Sequence, residues 1–186
     1  MPLPSLLLTS FSTWKPEQCS NSSDDLLLEI HQRFSQHETL RMLRQLPVDF
    51  QEAPARVIQA IKLQRPDAVI CCGMGETRSH LCIEDRAAYN NQTRRTILNS
   101  IRLASGLRAT RVSHDAGQFV CNRLYFDVLD YLQSHPQHRN CPCIFIHVPI
   151  LTDFNREMIV ADFLTILARM QLLADYQTAM PSPLPA

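Results

Sequence analysis

Short apolar runs separated by stretches of helical period leave this chain few ways to fold. Leu3–Thr9, Ala68–Cys72 and Cys143–Val148 read as strands, and amphipathic segments alternate with them. That alternation predicts an α/β fold in three layers, with a twisted, mostly parallel sheet flanked by helices. Ser22 or Ser23 is placed to cap a helix starting at Asp24 or Asp25 and carrying Leu26, Leu27, Leu28 and Ile30. Thr39–Pro47 reads as a partly exposed strand, Ala53–Leu63 as a helix that Pro66 stops, and Gly73 and Gly75 as the turn after Ala68–Cys72. Further on, Leu81–Asp85 is a strand or the start of a loop, Arg95–Ser105 a helix ended by Gly106, and Ala109–Ser113 a strand. Phe119–Leu132 has a strong amphipathic period, and Met158–Leu173 is a terminal helix. The 186 residues suit one domain over 1–177, with a frayed tail over 178–186.

Eighteen basic residues balance eighteen acidic ones, so no charged face points to nucleic acid or an anionic membrane. The opening Leu3–Leu8 run is far shorter than the roughly 20 apolar residues of a membrane span. It also lacks the basic stretch that precedes a signal sequence. Seven cysteines, an odd number in a chain of this size, read as reduced thiols in a cytoplasm.

Three segments carry chemistry. Ser113 through Asn122 runs from a strand end through Gly117 into a helix, where parallel sheets gather their sites. Cys121 then falls in the first helical turn, where free amides and the helix dipole favour a thiolate and can bind an oxyanion. His147, at the end of the Cys143–Val148 strand, is placed to take the thiol proton. A carboxylate within Ile83–Asn90 can orient that imidazole. His138, Cys141, Cys143 and His147 lack the spacing of zinc ligand pairs, and Gly73-Met74-Gly75 lacks both nucleotide-loop patterns. Neither a metal nor a cofactor is expected.

Together these segments resemble the pyroglutamyl peptidase I family of cysteine peptidases, also called pyrrolidone-carboxylate peptidases. Leu8 through Trp14 is similar to the family's Thr-Gly-Phe-x-Pro-Phe block, with Asn21 and Ser23 similar to its Asn-Pro-Ser/Thr. Pro66 through Met74 resembles Pro-Asp-x-Val-Ile-x-x-Gly, and Asp85 through Asn90 resembles Glu-Arg-Val-Ala-Ile-Asn. Ser113–Asn122 and Phe145–Pro149 resemble the blocks of the family's Cys and His. The resemblance implies release of N-terminal pyroglutamate from peptides or amides through a thioester acyl-enzyme, without nucleic acid or membrane partners. It implies Cys121 as nucleophile, His147 as base and Asp85 as orienting acid. Phe11 and Trp14 would sandwich the lactam, Phe119 and Val120 would line the same pocket, and Met74 sits where the family often has Gln. It also allows a homo-oligomer.

Three departures stand out. Asp85 occupies the position of a family Glu and is one methylene shorter. Glu84 is its neighbour, but adjacent strand residues point to opposite faces, so Glu84 would serve only if the segment bulges. Trp14 replaces Phe. After Asn90 the family runs through a long loop, whereas this chain passes almost directly to Thr96; by the resemblance, that deletion would open or remove one wall of the pocket. By count, the family Arg that follows the acid falls at Arg95.

Overall fold

The computed structural model describes residues 4–34 and 39–179, so Leu3 and the tail beyond Ala179 lie outside the described residues. Six strands form one sheet: β1 (Leu6–Phe11), β2 (Leu40–Leu46), β3 (Ala68–Met74), β4 (Leu81–Glu84), β7 (Thr110–Ser113) and β8 (Cys143–Val148). Their order is β2-β1-β3-β8-β4-β7. All neighbours pair in parallel except β4 and β8, which are antiparallel. The strands read as nearly unbroken apolar runs because helices cover both faces.

Alternation along the strands sorts the core into two halves. Leu6, Leu8, Ile70, Ile144 and Ile146 face α1 (Ser22–Arg33), α3 (Ser100–Ala104) and α5 (Arg156–Ala179). Leu7, Phe11, Val69, Cys71 and Phe145 face α2 (Glu52–Gln64) and α4 (Val120–Ser134). The second half carries the cleft described below.

Several boundaries differ from the sequence reading, each for a local reason. The first helix starts at Ser22 because Asn21, not a serine, is its cap and accepts from the Ser23 amide at 3.0 Å. Gly73 lies within β3 rather than in a turn, since the strand runs on to Met74. The helix expected over Arg95–Ser105 shrinks to Ser100–Ala104, because the residues before it form an unforeseen hairpin. In it β5 (Arg86–Tyr89) pairs antiparallel with β6 (Gln92–Arg95). Asn90 and Asn91, at φ 47° and 60°, make its two-residue turn. Asn tolerates that left-handed backbone, which two-residue hairpins of matching twist require. The final helix extends through Ala179, past the Thr178 at which fraying was expected. Among the described residues no helix is long and apolar enough to cross a membrane.

Candidate active site

The nucleophile candidate sits where strand chemistry hands over to helix chemistry. After β7 the chain turns through Gly117, at φ 79°, with the Asp115 carboxylate accepting its amide at 2.9 Å. Phe119 is extended (φ −93°, ψ −175°) and caps α4, so Cys121 is the second residue of that helix. Its side chain lies over the sheet at Gly73. A Cβ at Gly73 would stand 2.7 Å from Cys121 Sγ and 2.8 Å from Phe145 Cζ. Absence of a side chain, not turn geometry, is what this glycine supplies.

Gly73 is also the register partner of His147, so helix, glycine and histidine meet on one face of the sheet. His147 is only 8% exposed, and Glu84, on the adjoining antiparallel strand, is fully buried. Glu84 Oε1 accepts from His147 Nδ1 at 2.8 Å. A carboxylate offers no proton here, so Nδ1 carries it and Nε2 is the basic nitrogen left for the cleft. Arg78 adds a guanidinium 3.8 Å from Glu84 Oε1, and the Tyr125 hydroxyl donates to the Glu84 carbonyl at 3.0 Å.

The expected Asp85–His147 contact is not formed. Cys82 pairs with His147 and Glu84 with Phe145, so Cys82 and Glu84 share the face of the histidine. Strand alternation puts Asp85 on the other side without any bulge. There Asp85 takes His114 Nδ1 at 2.9 Å, Arg95 Nη1 at 3.1 Å and Arg86 Nε at 3.5 Å. Arg95 is thereby removed from the pocket as well. It lines a separate shallow cavity with Asp85 and His114.

Cys121 and His147 open onto a cleft of about 270 Å³ lined by Phe11, Trp14, Met74, Phe119 and Val120. Trp14 and Phe119 stack tilted with centroids 6.0 Å apart, and Phe50 meets the outer edge of Phe119 at 5.8 Å. Asn21, Val48 and the Gly75–Arg78 loop also line it, and none of them was assigned to the pocket from the sequence. The loop follows the carboxyl end of β3, and that position is the signal that marks it.

The amide at the helix start lowers the thiol pKa in the expected direction, but the net shift is upward. Burial pushes Cys121 up to about 12, and the Glu84 charge adds to the rise, outweighing its own backbone amide. The resting group is therefore a thiol.

The family described as pyroglutamyl peptidase matches residues 87–162, a span holding Cys121 and His147 and beginning after Glu84. A pyrrolidone-carboxylate peptidase of Brachyspira hyodysenteriae is 24% identical over 79% of this chain and 84% of the relative. Another, from Caldanaerobacter subterraneus subsp. tengcongensis, is 26% identical over 80% and 83%. Among solved structures, pyroglutamyl peptidase I of Bacillus amyloliquefaciens superposes with a TM-score of 0.75 at 21% identity, covering 94% of this chain and 98% of that one. The pyrrolidone carboxyl peptidase from Thermococcus litoralis also gives 0.75, at 17% identity, over 99% and 100%. At such identities these superpositions establish the fold.

Proposed function

We propose that this chain is a member of the pyroglutamyl peptidase family, a cysteine peptidase that removes N-terminal pyroglutamate from peptides. The family match over residues 87–162 and the similar pyrrolidone-carboxylate peptidases support that reading. The observation that carries this reading is the buried Glu84–His147 pair opening with Cys121 onto one aromatic-walled cleft. Its substrate carries a flat, neutral lactam, which suits apolar walls such as Phe11, Trp14, Phe119 and Val120.

The reaction runs in two halves. His147 Nε2 takes the thiol proton as Cys121 Sγ attacks the pyroglutamyl carbonyl, forming a C–S bond. Free amides at the start of α4 hold the oxyanion. His147 then protonates the leaving amine, the C–N bond breaks, and a thioester remains. A water deprotonated by His147 attacks the thioester, pyroglutamate departs, and the thiol is restored. Glu84 keeps Nδ1 protonated and stabilises the imidazolium that each half creates. The seven cysteines, all free, suit a reducing cytoplasm as the working compartment.

One observation favours a second reading, a related hydrolase for another small acyl group. A tight Asn90–Asn91 turn stands where the resembled family runs through a long loop, and no residue of this hairpin lines the cleft. Release of a fluorophore from a pyroglutamyl amide, by wild type and Cys121→Ala, tests the assignment. Turnover by wild type alone supports it. No turnover by folded, reduced wild type refutes it, and a panel of acyl amides then decides the second reading.

A further inference from the structure

Trp14 is the largest wall residue of the cleft, yet it sits on an irregular loop rather than on an element. Phe11, before it, is fixed in β1, and Asn21, after it, caps α1 and donates to the Ser12 carbonyl at 3.0 Å. Between these ends the loop has little apolar anchorage. Its aromatic neighbour Phe119 is itself 46% exposed.

Gln18 and Glu76 supply the missing tether. Gln18 Oε1 accepts from the backbone amides of Trp14 at 3.0 Å and Lys15 at 3.2 Å, while its Nε2 donates to Glu76 Oε1 at 2.9 Å. The second Glu76 oxygen takes Lys15 Nζ at 2.7 Å, and that ammonium lies 5.4 Å from the Trp14 ring centre. Gln18 N also closes a turn onto the Lys15 carbonyl at 3.1 Å. Among the described residues, the side-chain hydrogen bonds that leave loop residues 13–19 for the rest of the fold end on Glu76. Glu76 in turn follows Gly75, whose amide donates to the Val148 carbonyl at 2.8 Å, beside His147. The tether therefore joins the aromatic wall to the strand pair that holds the histidine.

We propose that Gln18 and Glu76 are positioning residues that pin Trp14 over the cleft and thereby set how tightly substrate is held. The proposal rests on the peptidase reading only for the identity of that substrate. A carboxylate bridging an amide and an ammonium is worth little as an exposed ion pair. Its effect here is geometric, because one side chain fixes two consecutive backbone amides at the ring. Loss of such a wall weakens substrate and transition state alike, so it appears in KM rather than in kcat.

Trp14 is the chain's single tryptophan, so its emission reports this wall without interference. Acrylamide quenching of Trp14, with kcat and KM for a pyroglutamyl amide, is measured for wild type, Gln18→Ala, Glu76→Ala and Glu76→Gln. Glu17→Ala, on the exposed outside of the same turn, serves as control. We expect both Ala variants to show increased quenching and a KM raised about five- to tenfold, with kcat changed less than about twofold. Glu76→Gln, which keeps an oxygen for the Gln18 amide, recovers most of the wild-type quenching. Unchanged quenching in both Ala variants overturns the pin whatever the wild type hydrolyses. Increased quenching with an unchanged KM overturns its role in affinity. If wild type turns over no pyroglutamyl amide while quenching still rises, the assigned substrate falls and the pin stands.

Discussion

Two carboxylates adjacent in sequence each hold a histidine at nearly the same distance, and their surroundings make them different devices. Glu84 meets His147 at 2.8 Å with no exposed surface of its own. Asp85 meets His114 at 2.9 Å, but His114 is 60% exposed and two arginines share the same carboxylate. In the buried pair the low dielectric keeps the attraction strong and fixes one tautomer. At the surface, water and salt screen the cluster, which ties the β5–β6 hairpin and the loop after β7 to the end of β4. The lesson is that register decides which carboxylate can serve a histidine, since one residue along a strand means the opposite face.

The largest expected difference between the two regions is catalytic. His147→Ala should lower kcat/KM for a pyroglutamyl amide by about a thousandfold or more. His114→Ala should change it by less than about threefold in the same assay, since it touches neither the cleft nor Glu84. Comparable losses would erase the distinction.

Gly73→Ala probes the buried region from its floor. The added methyl meets Cys121 Sγ and Phe145 Cζ at 2.7 and 2.8 Å, too close to be accommodated in place. Overpacking of this kind costs about 1–3 kcal/mol. Thermal unfolding should register that loss, and kcat/KM should fall at least about tenfold as the sulfur is displaced. Wild-type stability and turnover would mean that Cys121 does not lie against the strand.

Titration of Cys121 sharpens the contrast next. Its raised pKa means that the folded state holds the thiol proton more firmly than the unfolded chain does. This contribution to stability is complete below the unfolded thiol value of about 8.5 and is lost as pH rises towards about 12. In the substrate-free protein, alkylation of Cys121 by iodoacetamide should climb about tenfold per pH unit from neutrality to beyond pH 9. Mass spectrometry of the labelled peptide follows it. A plateau already reached at pH 7 would show a resting thiolate instead.

The smallest effect belongs to the surface. Arg95→Ala removes one of the exposed partners of Asp85, and chemical denaturation should detect less than about 1 kcal/mol. A larger loss would show the cluster to be more than a surface tie.

Much of this architecture was legible because apolar runs and helical periods are local signals. The strand carrying His147 and the helix starting beside Cys121 follow from residues close to one another in sequence, whereas the aromatic residues lining the cleft come from distant segments and were suggested only by the family resemblance. What could not be read depends on pairing between distant segments. The choice of Glu84 over Asp85 rests on the register of β4 against β8, which pairs Cys82 with His147 and Glu84 with Phe145, and no residue of either strand announces that register. Gly73 looked like a turn residue because glycine's conformational freedom is visible in a sequence while a sulfur passing above it is not. The expected low thiol pKa came from the helix start, a local feature, and was reversed by burial, which is not one. The Asn90–Asn91 turn was readable in principle, yet the helical look of the following segment concealed it.

Which carboxylate orients His147 is the central question at this site. Glu84→Gln and Asp85→Asn, both isosteric, should be compared in kcat/KM for a pyroglutamyl amide. We predict a loss of about a hundredfold or more for Glu84→Gln, since an amide permits the wrong tautomer, and less than about threefold for Asp85→Asn. A large loss at Asp85 with near-normal turnover at Glu84 would contradict the account directly.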